Sequence, residues 1–98
     1  MDVFAALSDP TRRALIQHLA EGPATATQLS QQFPISRQAV TKHLAALDEA
    51  GLVERNSSGR EVRYSLRTEG LAGVSSWVAD VGTSWDRRLA RLKKSLDS

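Results

Sequence analysis

Gln38, Thr41 and Lys42 are spaced three and four apart, so a helix would carry them in one row. Their chemistry suits the edges of base pairs. Glutamine pairs with adenine in two places, lysine or arginine pairs with guanine, and threonine offers a hydroxyl and a methyl group. Ser36 and Arg37 lead into the row, with Arg37 near the amino end, where base edge and phosphate are both in reach, and His43 flanks it. Ala45 and Ala46 are small enough to let a helix approach a duplex closely. On a helix taken alone such a row is more often a solvated face, so its meaning depends on the elements around it.

Other chemistries have less support. The 98 residues include no cysteine, which removes disulfides, thiolate metal sites and cysteine nucleophiles together and fits a reducing cytoplasm. His18 and His43 fall on different helices without acidic or thiol companions at ligand spacing, so neither a metal nor a cofactor is expected. The former reads as a packing residue and the latter as a phosphate donor. No nucleophile and base stand at a recognisable spacing and no glycine loop is built for phosphate, which argues against an enzyme. The first residues, Met1-Asp2-Val3-Phe4, form neither a basic leader nor a long apolar run, so a soluble cytoplasmic chain without a membrane span is expected.

The elements around the row follow from caps and breakers. A short helix is expected near Val3 to Leu7. Asp9-Pro10 starts the next, which shows Leu15, Ile16 and Leu19 to a core and ends at Gly22-Pro23. Thr25 opens a helix carrying Leu29 and Phe33, and Pro34 closes it by pushing the preceding residue out of helical geometry. Ser36 caps a further helix with Val40, Leu44 and Leu47 inward, ending at Gly51. From Leu52 the period changes to two, and Val62, Tyr64 and Leu66 alternate with Glu61, Arg63 and Ser65 across a hairpin whose tip is Ser57-Ser58-Gly59-Arg60. Helical spacing returns at Thr68, with Glu69 in the first turn, and Gly73 and Gly82 weaken that helix enough to allow a break near Gly82.

Helix, short helix, tight turn, helix, hairpin and long helix together describe a mainly α winged helix-turn-helix. We read residues 1–98 as a single such domain, with 25–50 as the helix-turn-helix and 52–66 as the wing. Residues 1–22 and 68–97 form helices that also dimerise. Net charge is a mild +2, unevenly spread: roughly +2 over 35–67 and +3 over 86–98, against −1 and −2 elsewhere. Arg55, Arg60 and Arg63 gather on the hairpin, where a wing meets phosphates, and Arg60 at the tip is the preferred contact. For Arg55 and Arg63 a surface pair with Glu54 or Glu61 is an equal reading.

The last helix repeats apolar residues at Leu71, Val74, Val78, Val81, Trp85, Leu89, Leu92 and Leu96, more than one small domain needs to cover. A homodimer is therefore expected, with Phe4 and Leu7 joining Leu71, Val74, Val78, Val81, Trp85 and Leu89 at the interface. The alternative treats the winged domain as a scaffold and this helix, with Arg87, Arg88, Arg91, Lys93 and Lys94, as a protein-interaction surface.

Ser8-Asp9-Pro10-Thr11-Arg12-Arg13, Ile35-Ser36-Arg37-Gln38-Ala39-Val40-Thr41-Lys42-His43-Leu44 and Glu49-Ala50-Gly51-Leu52-Val53 together resemble the ArsR family of bacterial winged-helix repressors over nearly the whole chain. The resemblance implies a homodimer, joined through the first and last helices, that holds double-stranded DNA at an imperfect palindrome and blocks transcription until an effector releases it. It leaves a small-molecule effector open. It maps DNA contacts onto Ser36, Arg37, Gln38, Thr41, Lys42 and His43. Many members carry a cysteine pair where this chain reads Ala26-Thr27-Gln28-Leu29-Ser30, or acidic and histidine ligands on the final helix, which here has no histidine. Neither of those metal sites is expected to assemble. Phe33-Pro34 occupies a turn where many members have glycine.

Overall fold

The computed structural model describes residues 2–97. Helices α1 (Val3–Ala6) and α2 (Pro10–Leu19) lead to strand β1 (Ala24–Thr25), then to α3 (Ala26–Gln32) and α4 (Arg37–Glu49). Strands β2 (Val53–Ser58) and β3 (Glu61–Leu66) follow, then a 3-10 turn over Thr68–Leu71 and the long helix α5 (Ala72–Asp97). The sheet is antiparallel in the order β1-β3-β2.

Local side chains set the helix starts. The Asp9 carboxylate accepts from the Arg12 amide at 3.0 Å, with Pro10 at the first helical position. Thr25 and Gln28 form a reciprocal capping box on α3, at 3.1 and 2.9 Å. Ser36 Oγ accepts from the Ala39 amide at 3.1 Å and starts α4 where the serine was expected to. The far end of α4 closes in a Schellman turn: Leu52 donates to the Leu47 carbonyl and Gly51 to that of Asp48, both at 2.9 Å, while Gly51 takes φ +78°.

Val40, Leu44 and Leu47 on one side of α4 are fully buried, beside Leu15 and Leu19 of α2, Leu29 of α3, and Leu52, Val53 and Tyr64 from the sheet region. The hairpin loop is tighter than the four residues expected, since Ser57 pairs with Val62 and Ser58 with Glu61, leaving Gly59-Arg60 as the turn. Gly59 has φ +62° and Arg60 does not share it, the pattern of a type II′ turn.

Arg12 and Arg13 have a structural task that sequence spacing did not show. Arg12 Nε donates to the Ala6 carbonyl at 2.6 Å and Arg13 Nη1 to that of Leu7 at 2.8 Å, closing the carboxyl end of α1. Held this way, α1 sets Phe4 edge-on to Trp77 of α5, with centroids 5.7 Å apart.

Three further points come from the structure. The helix does not begin at Thr68: residues 68–71 wind more tightly, because Arg67 donates to the Leu52 carbonyl at 2.9 Å and Gly70 lies directly against the Gly51 backbone. No break occurs near Gly82, and α5 is one helix from Ala72 to Asp97, whose leucine, arginine, lysine and alanine content carries it across two glycines. Strand β1 was not expected at all; Ala24 and Thr25 pair with Tyr64 and Arg63 and bind the start of α3 to the wing.

A Cβ at Gly70 would overlap the Gly51 carbonyl oxygen, a backbone atom with no rotamer to move aside. Gly70→Ala is therefore expected to cost about 1–3 kcal/mol, read as a lowered midpoint in urea unfolding at an unchanged m-value. A second expectation concerns acid. The Arg12 amide at the cap holds the Asp9 carboxyl below its ordinary value, with His43 and Arg12 charges adding to the same effect. A depressed folded-state pKa contributes stability that is present above the unfolded value and is lost as pH falls through the folded one. Asp9→Asn keeps a capping oxygen without the ionisation, so between pH 5 and about 3 its melting temperature should fall less steeply than that of the wild type.

Candidate nucleic-acid interface

The burial of Val40, Leu44 and Leu47 leaves Gln38, Thr41, Lys42 and Ala45 on the opposite, exposed side of α4. Ser36, Arg37, Gln38, Thr41 and Lys42 line one open concavity of about 650 Å³ at the amino half of the helix. Thr41 Oγ1 donates to the Arg37 carbonyl at 2.9 Å, which leaves its methyl group and a lone pair facing out. No acidic side chain lies in the first turn of α4, so the positive end of its dipole is not locally neutralised.

His43 is not part of this concavity. It is half-buried and lies close enough to Asp9 at the start of α2 to help hold that carboxylate ionised. Ala46 is likewise half-buried, whereas Ala45 is exposed.

Arg60 sits at the wing tip and lines a second cleft, of about 500 Å³, between the wing and the amino ends of α3 and α4. Arg37 and Thr41 border both depressions, so the polar row of α4 and the wing form one continuous surface. Arg55 lines the second cleft too, while Arg63 is paired with Glu61, Nε to Oε2 at 3.1 Å, on the exposed face of β3. Thr27 and Gln28 of α3 also border it, residues the sequence gave no reason to place beside the wing, since the juxtaposition arises from the pairing of β1 with β3. His18 packs edge-on against Phe33 at 5.9 Å.

The second region of interest is α5. Phe4, Trp77, Val78, Val81, Trp85, Leu89, Leu92 and Leu96 remain 47–78% exposed, whereas Leu7, Leu71 and Val74 are half-buried against their own domain. The helix projects outward, giving the molecule extents of 69 × 25 × 24 Å. Despite its length, neither it nor any other helix among the described residues is apolar enough to cross a membrane.

A helix-turn-helix domain model matches residues 7–56. The HTH-type transcriptional regulator Rv2034 of Mycobacterium tuberculosis is 38% identical over 95 residues, covering 97% of this chain and 86% of that protein. The transcriptional repressor SdpR of Bacillus subtilis is 33% identical over 88 residues, covering 90% and 98%. Among solved structures, an ArsR-like transcriptional regulator from Rhodococcus sp. RHA1 superimposes with a TM-score of 0.77 at 43% identity, covering 94% of this chain and 87% of that one. A possible transcriptional regulator for arsenical resistance gives 0.78 at 37% identity, covering 93% and 96%. With a helix-turn-helix match over half its length and relatives of this similarity along nearly all of it, the chain belongs to the ArsR family of winged helix-turn-helix, DNA-binding transcriptional regulators.

Proposed function

We propose that this regulator is a cytoplasmic repressor, without catalytic activity of its own, that occupies a two-fold related site on double-stranded DNA as a homodimer. The observation that carries the reading is the division of α4 into two faces: a fully buried apolar one and an exposed row of Gln38, Thr41 and Lys42. A helix held rigidly by one side presents the other in fixed orientation, as major-groove readout requires. Gln38 and Lys42 carry the base contacts in this reading, Thr41 the methyl or lone-pair contact, and Ser36 and Arg60 the backbone contacts. His43 acts from the flank.

The homodimer rests on α5. Its apolar stripe repeats as Val74-Val78-Val81-Trp85 and again as Trp85-Leu89-Leu92-Leu96, exposed from Val78 onward, two eleven-residue steps that keep the apolar residues on one side of a nearly straight helix. Water contact along such a stripe is costly, and a second copy of the same helix removes it for both partners. Charge favours an antiparallel pairing of the two helices about the two-fold axis: Glu69 and Asp80 lie toward the start, while Arg87, Arg88, Arg91, Lys93 and Lys94 crowd the end. Two recognition helices then read half-sites about one turn of DNA apart, near 34 Å.

Two measurements check this. Replacing Gln38 and Lys42 together by alanine should reduce the preference for a selected duplex over a scrambled one by about tenfold or more, with sedimentation unchanged. A loss of dimer with retained preference would reverse the assignment. Introducing a charge into the stripe, as in Leu89→Glu, should produce monomers at micromolar concentration and weaken binding to a two-fold site, and a wild-type chain sedimenting as a monomer there would remove the dimer.

A further inference from the structure

We propose that a cleft on the flank of α5 binds a small aromatic acid, one whose ring carries a hydrogen-bond donor at the end away from its carboxylate. The cleft has a volume of about 300 Å³ and is lined by Trp77, Asp80, Val81, Ser84, Trp85 and Arg88. All six belong to one helix, so the site is complete within a single subunit. It rests on the homodimer reading above only in lying at the rim of the pairing face.

The lining residues fall into two rows. Trp77, Val81 and Trp85 recur every four residues, and so do Asp80, Ser84 and Arg88, which lays each row along about 12 Å of the helix. The first row is a valine floor between two indole walls. The second sets a carboxylate at one end, a hydroxyl in the middle and a guanidinium at the other end. A flat apolar body suits the first row, and polar groups at its two ends meet the second. A volume at the lower limit for small-ligand sites holds one ring in preference to several.

Both walls are held before any ligand arrives. Phe4 stands edge-on to Trp77 with centroids 5.7 Å apart, which steadies one indole from outside the helix. The Arg88 guanidinium lies over the Trp85 ring, 6.0 Å from its centroid, which ties the other indole to the cationic end of the cleft. That contact engages the guanidinium as a cation and leaves its N–H donors for a planar carboxylate.

Charge gives the cleft a direction. Neither Asp80 nor Arg88 has an ion-pair or side-chain hydrogen-bond partner among the described residues. Arg88 attracts an anionic group, whereas the Asp80 carboxylate repels one and accepts from an O–H or N–H. The two ends therefore select opposite ends of one ligand. At about 100° per residue, the row Asp80, Ser84 and Arg88 lies about a quarter turn from the line through Val78, Val81, Trp85, Leu89 and Leu92. A second copy laid along that line leaves the polar row at the edge of the contact, where a small molecule still enters.

Trp77 and Trp85 are the two tryptophans of the chain, so tryptophan fluorescence reads this cleft alone. The full chain is titrated with para-hydroxybenzoate, with para-hydroxybenzamide, which has the same shape without the charge, and with benzoate, which lacks the donor. The hydroxybenzoate is expected to change the emission saturably, with one site per chain, and to bind about tenfold or more tighter than either analogue. Arg88→Ala should lose the preference for the acid over the amide, and Asp80→Ala the preference for hydroxybenzoate over benzoate. Each variant is judged by a ratio of two ligands, so a change in its overall stability does not imitate the result. Emission that changes in proportion to ligand without saturating, equal binding of acid and amide by the wild type, or an acid preference that survives in Arg88→Ala would overturn the site. Wild-type chain that sediments as a monomer while binding hydroxybenzoate saturably would remove the dimer and leave the cleft standing, so the two readings fail separately.

Discussion

The burial of Val40, Leu44 and Leu47 decides how everything else in this molecule is presented. Three aliphatic side chains with no exposed area pin α4 to α2, α3 and the sheet, and an α-helix so held cannot roll. The polar row on its outer face is therefore an oriented array and not a mobile fringe. In the proposed base-reading role such an array gains from that restriction, because its ordering is complete before any DNA arrives.

The same logic extends to the neighbours. The Thr25 and Gln28 capping box and the two-residue strand β1 tie α3 to the wing, and the capped turn between α3 and α4 fixes the two helices relative to each other. Arg12 and Arg13 reach back to carbonyls of α1, which places Phe4 beside Trp77. A motif that could be taken for a charged surface patch is thus a pair of caps, and it links the amino end of the chain to α5.

Much of this was legible in the sequence because it is local. Asp9-Pro10, Thr25, Ser36 and Gly51 announce helix ends through hydrogen bonds spanning only a few residues, and the i, i+4, i+7 spacing of Val40, Leu44 and Leu47 marks a buried face. What escaped was non-local. Ala24 and Thr25 have no strand signature of their own, and they are a strand only because Tyr64 and Arg63 come alongside. The placement of His43 beside Asp9 depends likewise on which elements meet, whereas the pairing of Arg63 with Glu61, two residues apart on one strand, was among the readings the sequence offered. The two glycines of α5 lowered its helical propensity without ending it, since a long run of good helix formers outweighs two weak positions.

The contact between Gly70 and Gly51 gives α5 the character of a lever on a tight fulcrum. Main chain meets main chain there, and the carbonyl touched belongs to the turn that closes α4. A helix of this length spans about 39 Å, so a tilt of ten degrees at its root sweeps the far tip by about 7 Å. By the same geometry, a displacement of the tip corresponds to a much smaller rotation at the carboxyl end of α4. Whatever grips the distal half of α5 thus holds the long arm of a lever whose short arm ends at the turn closing α4.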